Sequence, residues 1–140
     1  MTILIIGCTG RVGGNVMMGL SNHGMSVRCM SRSADKIRSL PAGVEGRIAD
    51  LAKPETLPTV LEGVEGVFLL NAVGPEETKQ GLAAVQAAKA VRIEKIVYLS
   101  VYMPEGYGSN PLPATKLING LQVDHSPLFY AFRSLYLINT

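Results

Sequence analysis

The chain opens with the apolar run Thr2-Ile3-Leu4-Ile5-Ile6 and passes without a break into Gly7-Cys8-Thr9-Gly10-Arg11-Val12-Gly13-Gly14, a glycine fingerprint of the form GxxGxxG. A buried strand that ends on glycines and continues into a helix brings backbone N–H groups together at the helix N-terminus, where a pyrophosphate can sit. Val12, Val16 and Leu20 follow at helical spacing, which predicts a helix directly after the turn. The motif therefore points to a dinucleotide site. With 15 glycines in 140 residues the spacing alone would be weak, so the strand before it and the helix after it carry the reading.

Strand and helix patterns then alternate along the chain. Ser26–Met30 reads as a second strand, 32–40 as a short helix closed by Pro41 and Gly43, and 44–49 as a third strand. Pro54 to Leu61 begins with a proline suited to a first helical turn. Residues 65–70 form a fourth, almost continuously apolar strand of the kind covered on both faces. The longest helix runs from Glu76 to Val91, with Leu82, Val85, Ala88 and Lys89 at recurring spacing. Ile93 to Val101 gives a fifth strand, followed by a loop from Met103 to Pro113, a helix from Ala114 to about Val123, and a sixth strand over 128–132. This alternation predicts one domain, 1–140, of α/β class: a doubly wound, mostly parallel six-stranded sheet with helices on both faces.

Composition excludes several function classes. The net charge of +2 comes from scattered Lys and Arg, not from a stripe that could follow a phosphate backbone, so nucleic-acid binding is not expected. No apolar run approaches the ~18 residues that span a bilayer, and a cytoplasmic protein without a membrane partner is expected. His23 and His125 have no ligand spacing and predict no metal site. Cys8 and Cys29 match neither a zinc pattern nor a disulfide framework and are expected as reduced thiols.

Taken together, Gly7-Cys8-Thr9-Gly10-Arg11-Val12-Gly13, Val27-Arg28-Cys29-Met30-Ser31-Arg32, Asp50-Leu51, Ile96-Val97-Tyr98-Leu99-Ser100-Val101, Ala114-Thr115-Lys116 and Tyr130-Ala131-Phe132-Arg133 resemble the NmrA-like branch of the atypical short-chain dehydrogenases/reductases. The resemblance extends over essentially the whole chain. It implies a Rossmann fold that binds NADP(H) or NAD(H), in a family of quinone- or azo-reducing enzymes and of regulators that sense the dinucleotide without turning it over. It further implies that Gly7, Gly10 and Gly13 shape the phosphate turn while Thr9, Arg11 and Val12 meet the pyrophosphate. Arg32 would lie beside the adenosine, Asp50 and Leu51 at the adenine edge, and Asn71, Ala72 and Val73 beside the ribose. Ser100 and Lys116 would lie near the nicotinamide as weak catalytic candidates.

The residues themselves bear on these assignments. NAD sites commonly end the second strand with a carboxylate for the ribose hydroxyls, whereas here Ser31 is followed by Arg32, which favours the 2′-phosphate of NADP over NAD. Arg28 and Arg32 also fit as solvated surface charges. Asp50 fits equally as a turn or capping acid before Pro54, and Asn71 as a strand-end turn residue. The Tyr-x-x-x-Lys pair of proton-relaying relatives is missing: Leu112 stands four residues before Lys116, and Tyr98, Tyr102 and Tyr107 have no lysine at that offset.

Relatives of this kind normally continue for another hundred or more residues into a substrate lobe, and Ser134 stands where they usually have proline. The apolar tail Leu135-Tyr136-Leu137-Ile138 would enter that lobe, and an uncovered tail of this character predicts a homodimer or packing on the sheet edge. The expected function is thus an NADPH-dependent reductase of a small electron acceptor, or a minimal form of one. The alternative is a non-catalytic dinucleotide sensor or protein-interaction module.

Overall fold

The computed structural model describes residues 1–72, 75–93, 95–101 and 129–134. Elements follow in the order β1 (Thr2–Ile6), α1 (Arg11–Asn22), β2 (Ser26–Ser31), α2 (Ala34–Arg38), β3 (Glu45–Ile48), a 3₁₀ turn (Pro54–Thr56) running into α3 (Leu57–Leu61), β4 (Gly66–Leu69), α4 (Glu77–Ala90), β5 (Lys95–Val101) and β6 (Phe129–Ser134). All strand pairs are parallel, in the order β3-β2-β1-β4-β5-β6. The expected doubly wound α/β sheet is present. The expectations for Val73, Lys116, the 103–113 loop, the 114–123 helix, His125 and the 135–138 tail lie outside the described residues.

Each central strand buries both faces, which is why β1 has no polar alternation. Leu4 and Ile6 join Val67, Leu69, Ile96 and Tyr98 in one cluster under α3 and α4. Ile5 joins Val27 and Cys29 in a second cluster under α1, where Met17 is the buried helix residue. The α1 stripe is rotated from the expected one: Gly13 and Met17 face the sheet, Val16 and Leu20 flank them, and Val12 is exposed. In α4 the contact face is Gly81, Ala84, Val85 and Ala88, with Lys89 exposed. Small side chains there let the helix lie close to the sheet.

The turn after β1 rests on backbone-to-backbone contact. Gly7 has φ +92°, and a Cβ on it would stand 2.3 Å from the Leu70 carbonyl oxygen. A Cβ on Gly13 would stand 2.0 Å from the Gly7 carbonyl oxygen. Gly14, one position on, would make only an ordinary contact at 3.5 Å.

Arg28 corrects the reading of this residue as a surface charge, for it is buried on β2. Its Nε donates to Glu45 Oε2 at 2.8 Å, and its Nη1 donates to the carbonyls of Val60 at 2.7 Å and Glu62 at 2.6 Å. Arg28 pairs in register with Glu45 across β2 and β3, and the two carbonyls belong to the end of α3, where helical donors run out. One guanidinium therefore joins the sheet edge to α3. Sequence could not anticipate this, because α3 lies about thirty residues away.

Glu45 receives Arg28 on one oxygen and Arg47 on the other, and these bonds, the Arg28 one foremost, hold its carboxyl below the usual carboxylate range. A carboxyl depressed on folding adds stability at neutral pH, and that stability is lost as pH falls through its depressed value. Glu45→Gln should therefore flatten the acid side of the stability–pH curve, as followed by urea unfolding between pH 3 and pH 7. Arg28→Ala strands the two α3 carbonyls and should cost about 3 kcal/mol in the same assay at neutral pH. Gly13→Ala should cost about 1–3 kcal/mol by overpacking, whereas Gly14→Ala should be neutral or gain about 0.5 kcal/mol from helix propensity. Equal midpoints for the two alanine variants would refute the close-approach account.

Candidate functional site

The strand order reverses between β1 and β4, and in open parallel sheets ligands bind outside the carboxyl ends of the strands at that point. A cavity of about 600 Å³ lies there. Its walls come from the segments that leave four strands: Ile6, Gly7 and Thr9 after β1, Met30 to Ser33 after β2, Ala49 to Leu51 after β3, and Leu70 to Ala72 after β4. Lys36 of α2 and Gln80 of α4 complete it.

Gly7 and Thr9 thus line the cavity, whereas Gly10, the N-cap of α1, and Arg11, Val12 and Gly13, in its first turn, do not. Gly10 is the N-cap of α1 and its helix has no side-chain cap. Its N–H donates to the Gly7 carbonyl at 3.2 Å. The three glycines differ in their necessity: Gly7 and Gly13 have no room for a side chain, but a Cβ on Gly10 would meet nothing closer than 3.5 Å.

On the β2 side, Arg32 is exposed at the cavity rim and forms no ion pair among the described residues. Lys36, one helical turn on, shares that rim and is likewise free of a carboxylate among the described residues. The acid next to them, Asp35, is taken by Arg38. Sequence reasoning missed Lys36, although Ser33 preceding it by three is the N-cap of α2 and accepts from the Lys36 N–H at 3.4 Å. That capping signal would have set Lys36 on the same end of the helix as Arg32.

Asp50 takes the turn role weighed for it. Its Oδ1 accepts from the Ala52 N–H at 2.9 Å, and its own N–H donates to Thr56 Oγ1 at 3.0 Å, so it shapes the turn while lining the cavity. Leu51 lines the same wall. Past β4, Asn71 and Ala72 line the opposite wall. Ser100 lies near the end of β5, paired in register with Arg133. Tyr98 is 2% exposed with its hydroxyl on Glu77, and burial with that carboxylate raises its pKa well above the ordinary phenol value. Its phenol holds its proton at neutral pH.

Cys8 and Cys29 depart from the expected reduced thiols, since they are joined in a disulfide with Cα atoms 5.7 Å apart. Sequence spacing could not show this. Cys29 pairs with Ile5 on β1, and the Gly7 turn carries Cys8 back over that pair. Among the described residues, no group of three or more His, Cys, Asp or Glu could hold a metal ion, and no helix is long and apolar enough to cross a membrane.

The chain is similar to known proteins in sequence and in fold. A photosystem II assembly factor, Ycf39 of Cyanophora paradoxa, is 30% identical over 96% of this chain and 45% of its own length. An NAD(P)H azoreductase of Xenophilus azovorans is 34% identical over 78% of this chain and 37% of its own. The chain thus spans less than half the length of these curated relatives. Among solved structures, the NADP(H) complex of Citrobacter sp. triphenylmethane reductase superposes with a TM-score of 0.80 at 24% identity, covering 98% of this chain and 50% of that one. The NmrA-like family model matches residues 1–117, and with the fold, the glycine turn and these relatives in agreement, the chain belongs to the NmrA-like family of NAD(P)-binding Rossmann proteins.

Proposed function

We propose that the chain binds NADP(H) in the cavity at the switch point and acts as an NADPH-dependent reductase of a quinone- or azo-type acceptor. The observation that carries the reading is the pair of cations, Arg32 and Lys36, on the rim after β2 with no carboxylate against either among the described residues. A 2′-phosphate brings about two negative charges to such a rim, and charge-assisted bonds to it are the strong ones. The tight backbone turn at Gly7 and Gly13, which has no room for a Cβ, opens α1 and suits a pyrophosphate at that helix N-terminus.

In this reading Gly7, Thr9, Gly10, Arg11, Val12 and Gly13 hold the pyrophosphate, and Arg32 holds the 2′-phosphate. Asp50 and Leu51 bound the adenine, and Asn71, Ala72 and Val73 the second ribose, with Ser100 and Lys116 nearest the nicotinamide. When bound, the reduced nicotinamide supplies a hydride; the chain binds and orients. Tyr98, buried and protonated, leaves no phenol proton relay at β5, which suits acceptors such as quinones and dyes that take a proton from solvent. The azoreductase relative supports this reading.

A second reading is favoured by the assembly-factor relatives: the bound dinucleotide governs a protein contact and is not turned over. Saturable NADPH oxidation with a quinone or azo dye supports the reductase, whereas NADPH binding without turnover supports the second reading. For the cofactor itself, Arg32→Glu should weaken NADPH binding about tenfold or more in calorimetric titration and change NADH binding little. Equal losses for the two cofactors would remove Arg32 from the 2′-phosphate.

A further inference from the structure

Three polar side chains are buried together where β4, β5 and α4 meet. Asn71 is 8% exposed, and Glu77 and Tyr98 are each 2% exposed. Asn71 Nδ2 donates to the Glu77 backbone carbonyl at 2.8 Å, and the Tyr98 hydroxyl donates to Glu77 Oε1 at 3.4 Å. A carbonyl can only accept, so this bond fixes which end of the Asn71 amide is nitrogen. The other end, Oδ1, is buried and receives no donor among the described residues.

Such a cluster is an expensive way to fill space. A carboxylate withdrawn from water costs several kcal/mol unless its bonds are good, and a phenylalanine would pack the Tyr98 ring position without it. Its location gives it a use. Asn71 lines the cavity wall beyond β4, and Gln80 of α4, one turn after Glu77, lines it too. Both residues stand on the side of the switch point away from Arg32 and Lys36. A dinucleotide with its adenosine on the β2 side and its pyrophosphate on the turn after β1 carries its second nucleotide to this wall.

Building on the NADP(H) reading, we propose that Tyr98 is a positioning residue for the nicotinamide half of the cofactor. Its hydroxyl anchors the Glu77 carboxylate and with it the first turn of α4. The Glu77 carbonyl in turn sets the Asn71 amide, and with it the wall against which the second nucleotide lies. Tyr98 touches no substrate and acts through two other residues.

Calorimetric titration of the full chain with two probes tests this: NADPH, and adenosine 2′,5′-bisphosphate, which contains the adenosine half alone. Tyr98→Phe should weaken NADPH about fivefold, the worth of one hydrogen bond of ~1 kcal/mol, and leave the bisphosphate unchanged. Asn71→Ala, which leaves the Tyr98–Glu77 bond in place, should show the same selective loss. Loss of both probes in proportion would make Tyr98 a structural residue only and overturn the inference, as would unchanged NADPH affinity in either variant. Unmodified protein that binds neither probe would overturn the dinucleotide reading itself, and the inference with it.

Discussion

Everything at the functional end of this domain depends on two peptide groups approaching each other more closely than any side chain would permit. The Gly7 carbonyl lies where a Gly13 Cβ would be, and the Leu70 carbonyl lies where a Gly7 Cβ would be. The first contact seats α1 on the end of β1; the second brings the segment after β4 against the same turn. The cavity exists because these three backbones meet there. Its walls come from the segments after four strands, with Lys36 of α2 and Gln80 of α4 added to them.

Those side chains divide the cavity into two unlike halves. The β2 side is exposed and cationic, with Arg32 and Lys36 on its rim. The β4 side is closed and neutral at its surface, backed by the buried Asn71, Glu77 and Tyr98. A flexible half suits charge, whose attraction tolerates small displacements. A rigid half suits a group whose orientation matters more than its affinity. The azoreductase and assembly-factor relatives are each similar to this chain over less than half of their own length.

The parts legible in the sequence were those written locally. β1, its glycine turn and the start of α1 stand within a dozen consecutive residues, and the alternation of apolar strands with helices was enough for the parallel sheet. What stayed hidden depends on register and long-range approach. Arg28 looks like any surface arginine until α3 brings two unpaired carbonyls to it. Glu77 reads as one of several helix-start acids and is instead buried beneath Tyr98. The α1 stripe was misjudged because Gly13 has no side chain to register as apolar, yet it faces the sheet. Lys36 was overlooked for the opposite reason, since its importance comes from the cavity beside it and not from its own burial.

The Cys8–Cys29 bond has a topological consequence. With its ends 21 positions apart in sequence, it closes β1's exit turn, all of α1 and most of β2 into a covalent ring. A ring of this size withdraws chain entropy from the unfolded ensemble, worth about 3 kcal/mol in the loop-closure picture. It also makes the glycine turn after β1 and the strand leading to Arg32 parts of a single cyclic body. The spacing between the turn after β1 and the end of β2 is thus held by covalent bonds as well as by packing.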